Sequence, residues 1–120
     1  MDRIEYTIIR NLVNNEDYAR QVVPFIDPEY FSIKSERIVI EEIANFFEKY
    51  NACPTPEALA IDLGEKRGIN ETEYKEISNV LSHIAQDVGA PDDSWLVDAT
   101  EKFCKDRAIF NAVRASIGIL

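Results

Sequence analysis

The chain has 120 residues, 46% of them apolar and 29% charged, and its 22 acidic against 13 basic side chains leave a net charge of −9. That length buries a core without disulfide or metal staples, and the acidic balance argues against a surface that grips phosphate, because nonspecific nucleic-acid affinity comes mostly from Lys and Arg. Cys53, Cys104 and His83 offer no zinc spacing, no charged-then-apolar leader opens the chain, and no apolar run approaches the roughly 18 residues that span a bilayer, so the expectation is an unexported cytoplasmic protein with reduced thiols, no metal and no membrane partner.

In chain order, nearly everything reads as helix. "DRIEYTIIRNLV" puts Ile4, Ile8, Ile9 and Leu12 on one face. "NNED" ends that helix and offers caps for "DYARQVVPFI", which Pro24 closes or kinks. "DPEYF" has the form of a cap, a proline at the first helical position and a short turn that buries Tyr30 and Phe31. "SERIVIEEIANFFEKY" carries Ile40, Ile43, Phe47 and Tyr50 at helical spacing behind Ser35 as a cap, and is the expected central core helix.

"CPTPEALAIDL" starts a further helix with Thr55 as cap, Pro56 first and Glu57 in the first turn, ended by Gly64 or Gly68. "NETEYKEISNVLSHIAQDV" opens on the capping-box pair Asn70 and Glu73 and lines up Tyr74, Ile77, Leu81, Ile84 and Val88. "GAPDDS" then breaks the chain. The expected core is Ile40, Ile43, Phe47, Leu59, Leu63, Ile77, Leu81 and Ile84. No strand-like alternation survives, so the class is all-α: a helical body of about five helices over residues 1–90, then a linker and a long last helix over 91–120.

The last helix repeats Leu96, Phe103, Phe110 and Ile117 every seven residues, with Ala99, Val113 and Leu120 interleaved. Val97, Cys104, Ala108, Ala112 and Ala115 form a second stripe, so the apolar surface is wider than the roughly 100° that one-sided packing uses. Gly118 is followed by two more apolar residues, and the helix is expected to run on past Leu120. At roughly 27 residues it would measure about 40 Å, against about 30 Å for the body, so its distal part is expected to protrude or to lie on another chain. The expected partner contacts are Trp95, Phe103, Phe110, Val113, Ile117 and Leu120; Trp95 is read either as an anchor in the core or as an exposed aromatic contact for a partner.

No catalytic constellation emerges. Glu41 and Glu42 point apart on a helix, Asp92 and Asp93 precede a helix start where anions cap, and His83 has no second ligand in register. No phosphate loop or dinucleotide fingerprint occurs.

The order of "DPEYF", "ERIVIEEIANFFEKYNACPTPEALAIDL" and "WLVDATEKFCKDRAIFNAV" resembles the N-terminal domain of DnaB-type hexameric replicative helicases, nearest to members from T-even-like phages, over essentially the whole chain. The bacterial members' small Val-Leu-Gly stretch in the first helix is replaced here by "IIRNLV", which leaves the packing of that helix open. The resemblance implies a non-catalytic collar within an ATP-dependent DNA helicase, acting in homo-hexamer assembly and primase docking during replication. It further implies that the last helix is the first arm of a hairpin that pairs between subunits. ATP, Mg and single-stranded DNA would then be bound by a separate ATPase domain, in the host bacterial cytoplasm if the protein is viral. A free-standing acidic helical adaptor or inhibitor is the competing reading.

Overall fold

The computed structural model describes residues 3–86 and 91–118, and among them the chain is all-α, with no strand. Helix α1 (Ile4–Asn14) buries Ile8, Ile9 and Leu12 completely. Asn15 both ends it and caps α2 (Glu16–Val22), its side chain accepting from the Tyr18 N–H at 3.1 Å. Pro24 then has no N–H for a continuing helix, and the backbone tightens into a 3-10 turn over Val23–Phe25. Asp27 accepts from the Glu29 N–H at 2.9 Å to start a second 3-10 turn, Pro28–Tyr30. Phe31 behind it is fully buried, whereas Tyr30 is only half-buried.

Helix α3 (Lys34–Tyr50) corrects two expectations. Ser35 does not cap it; Ile33 holds the cap position, so the helix starts two residues earlier than expected, and Ser35 lies buried inside the first turn. Tertiary contacts fix the start. Glu36 is fully buried and pairs with Arg3 at 2.6 Å, a partner that a buried carboxylate requires. That hydrogen bond is the main reason the Arg3 guanidinium is held protonated more firmly than usual. Arg37 also folds back to donate to the carbonyls of Phe31 and Ser32. At the other end, Val39, Ile40 and Ile43 are in the core, Phe47 is half-buried, packed against that core with Arg20 over its ring, and Tyr50 is exposed. Asn51 ends α3 in the left-handed region, φ 53°, a conformation Asn tolerates, and Arg20 donates to both its side-chain and backbone oxygens at 3.0 Å.

Thr55 caps α4 (Pro56–Glu65) by accepting from the Ala58 N–H at 3.0 Å. Gly64 lies within α4, where it allows the Tyr74 hydroxyl to approach, and the helix stops before Gly68, which has φ +87°. Helix α5 (Glu71–Ile84) opens on the complete Asn70–Glu73 capping box and buries Ile77, Val80, Leu81 and Ile84, while Tyr74 sits at the surface. Val88 lies outside the described residues.

Helices α3 and α5 lie side by side at the centre, flanked by α1 and α4. The buried Arg10 of α1 donates to the carbonyl of His83 in the last turn of α5, where a cation meets the negative end of the helix dipole. The His83 ring itself stacks on Tyr6, with centroids 4.7 Å apart. The core is one cluster from α1 to α5 that also takes in Leu96 from the final helix.

Candidate functional site: the outer flank of the last helix

Helix α6 (Asp93–Ser116) packs on α2 and on the Pro28–Tyr30 turn. Asp92 caps it by accepting from the Trp95 N–H at 3.1 Å, and Asn15 donates to Asp93 at 2.9 Å, tying the starts of α2 and α6 together. Its inner face runs through Leu96, Thr100 and Cys104 at four-residue intervals, all buried. Thr100 donates to the Leu96 carbonyl at 2.7 Å and meets the buried Tyr18 hydroxyl at 2.6 Å. Burial pushes the Cys104 thiol up to about 11. Beside Cys104, the Phe103 ring lies 5.3 Å from that of Phe31. Beyond it, Arg107 donates to the Tyr30 carbonyl at 2.9 Å and Asn111 to the Glu29 carbonyl at 3.0 Å.

The outer flank is different. Trp95 (54% exposed), Ile109 (55%), Phe110 (47%), Val113 (53%) and Ile117 (59%) have no cover from the chain's own core. Arg107 and Arg114 sit 4.8 and 5.7 Å from the Phe110 ring centroid, within cation–π range. No acidic residue occurs from Arg107 to Gly118, so an apolar and basic strip lies on a chain of net charge −9.

Of the two readings of Trp95, the core anchor does not hold, because its neighbour Leu96 turns inward and takes that place. Phe103 also differs from expectation: it is half-buried against Phe31 and engaged within the chain. Phe110, Val113 and Ile117 are exposed, and Leu120 lies outside the described residues. The helix ends at Ser116, short of the end of the chain, and past Asn111 residues 112–118 are all exposed, so its last turns stand clear of the body as expected. Its 24 residues span about 36 Å, and the longest dimension of the chain is 40 Å. Asn111 still touches the body near the distal end, and Gly118, at φ +72°, turns the chain out of the helix. Sequence reasoning missed Thr100, Arg107 and Asn111. They continue the Leu96 stripe at spacings of three and four, but as polar residues they do not register in an apolar pattern.

Elsewhere, Glu42 pairs with Lys66 at 3.7 Å while Asp92 and Asp93 serve the start of α6. Among the described residues, no group of three His, Cys, Asp or Glu is placed to hold a metal ion, and no helix is long and apolar enough to cross a membrane.

No family model matches the chain. The DnaB-like replicative helicase of Enterobacteria phage T4 is 34% identical to it over 113 residues. The match takes in 93% of this chain and 23% of the helicase, so the chain spans about a quarter of that relative's length.

Proposed function

Since the chain is related over nearly its whole length to a segment of a DnaB-like replicative helicase, we propose that it is the N-terminal, non-catalytic collar domain of a hexameric replicative helicase, acting in subunit assembly and primase docking. The relationship supports a helicase-related role in phage DNA replication, and does not favour the free-standing adaptor reading. On this proposal ATP and Mg are bound by an ATPase domain outside this chain, single-stranded DNA is contacted only there, and the protein works in the host cytoplasm. The observation that carries the assembly role is the bare strip of Phe110, Val113 and Ile117, because contiguous exposed apolar patches mark interaction sites.

The test is the double substitution Phe110→Glu with Ile117→Glu, made in this chain and in the longer protein of which it is proposed to be part. Charges in a buried interface are costly, whereas at exposed positions they leave the fold alone. The expected outcome is unchanged circular dichroism and melting, loss of self-association by light scattering, and reduced DNA-stimulated ATP hydrolysis in the longer protein. Intact rings with full activity would remove this strip from the assembly interface.

A further inference from the structure

Independently of the helicase reading, we propose that the distal half of α6 is an ordering switch: residues 105–116 close on the Pro28–Tyr30 turn and open from it as a unit of their own, with Arg107 and Asn111 as the catch.

The helix is held in two different ways along its length. Up to Cys104 it is packed: Leu96, Thr100 and Cys104 are buried, Thr100 meets the Tyr18 hydroxyl, and Val97 and Phe103 lie against the core. The next member of that stripe, Ala108, is exposed, and among the described residues nothing in α6 after Cys104 is buried. From there on only Arg107 and Asn111 are half-buried, and each is fastened by a hydrogen bond to a main-chain carbonyl, that of Tyr30 at 2.9 Å and that of Glu29 at 3.0 Å. Such bonds hold weakly on net, because water offers both partners the same bond once the contact opens. The anchorage therefore changes at one place from apolar burial to a polar catch.

The segment's own tendency to stay helical does not make up the difference. A stretch of about 12 residues is marginal as a helix in water even for favourable sequences, and Ile109, Phe110, Asn111, Val113 and Ser116 all rank behind the strong helix formers. Proteins open locally in units set by such differences in anchorage.

The outer strip exists only in the closed form. Phe110, Val113 and Ile117 share a flank only while the chain between them is helical. Arg107 lies over the Phe110 ring, 4.8 Å from its centroid, while it holds the Tyr30 carbonyl. Opening disperses the strip and withdraws Arg107 from both partners at once. Whatever covers Phe110 thus favours the closed form, and closure favours cover by the same factor.

The test is amide hydrogen exchange, followed residue by residue by NMR in the isotopically labelled chain at a concentration where it is monomeric. The amides of 109–116 should share one opening constant, about tenfold or more above that of 97–104, with a step between the two groups. Arg107→Met with Asn111→Val removes the catch at nearly constant helix propensity, since Met ranks with Arg and Val with Asn. This variant should raise the opening of 109–116 about tenfold and leave 97–104 unchanged. Equal protection along α6 would overturn the proposal, as would acceleration of both groups by the same factor, because α6 would then open as one piece. A gradual rise in exchange towards Ser116 that the variant leaves unaltered would also overturn it, being the fraying of a helix end that has no catch.

Discussion

The Tyr18–Thr100 contact fastens α6 to α2, and the asymmetry of its hydrogen bonds sets an unequal cost for breaking it from either side. Thr100 uses its one proton on the Leu96 carbonyl, so Tyr18 is the donor in the 2.6 Å bond, and both side chains are fully buried. Replacing Tyr18 by Phe removes the donor but leaves Thr100 still bonded to Leu96. The cost should be about 1 kcal/mol, that of one ordinary hydrogen bond. Replacing Thr100 by Val instead strands the Tyr18 hydroxyl in a dry environment, which should cost about 2 to 3 kcal/mol. In the double variant no polar group is left stranded. It should lose only about 1 kcal/mol, well short of the sum, with a coupling of about 2 kcal/mol. Urea unfolding should be followed by circular dichroism and by the fluorescence of Trp95, the sole tryptophan, which reports on α6 itself. Coincident transitions would show that α6 unfolds with the body. Additive single effects, or a Tyr18→Phe cost equal to that of Thr100→Val, would refute the assignment of donor and acceptor.

Gly64→Ala should stabilise the chain by about 0.5 kcal/mol, because alanine restricts the unfolded chain and favours helix; the added Cβ would meet the Tyr74 hydroxyl at 3.3 Å, the far end of a surface side chain that can yield. A drop in urea midpoint would mean Tyr74 is held rigidly. The Glu73 carboxyl is held below its ordinary 4.5, first by its hydrogen bond with Lys34 and then by the Asn70 N–H. Its stabilising contribution is therefore complete above about pH 4.5 and fades as pH falls through the lowered value. The acid limb of the stability curve should be shallower in Glu73→Gln than in the parent. At pH 8 a thiol at about 11 is ionised in roughly one molecule in a thousand, so iodoacetamide should modify half-buried Cys53 first and Cys104 only on unfolding; equal rates, read by mass spectrometry, would contradict the packing of α6.

Local signals were legible because they involve residues three or four apart. Thr55, Asp92 and the Asn70–Glu73 box cap their helices as the pattern implies. Ser35 failed because a contact 33 residues away, between Arg3 and Glu36, sets the start of α3. Tyr50 is exposed although it shares the apolar face of Ile43 and Phe47, because periodicity shows which face is apolar but not how far along it the core extends. The α6 stripe was visible as one continuous band, yet its upstream members Leu96 and Phe103 pack inward while Phe110 and Ile117 are exposed, a division made by where the Pro28–Tyr30 turn crosses it.

Arg107 and Asn111 reach main-chain carbonyls of the Pro28–Tyr30 turn, those of Tyr30 and Glu29, and so recognise its course rather than its side chains. Tolerance to mutation is consequently lopsided across this contact. Glu29 can be exchanged freely without loosening α6, whereas one added or deleted residue in the turn would displace both acceptors at once. Variation at this joint should accumulate as substitutions in the turn and be rejected as changes in its length.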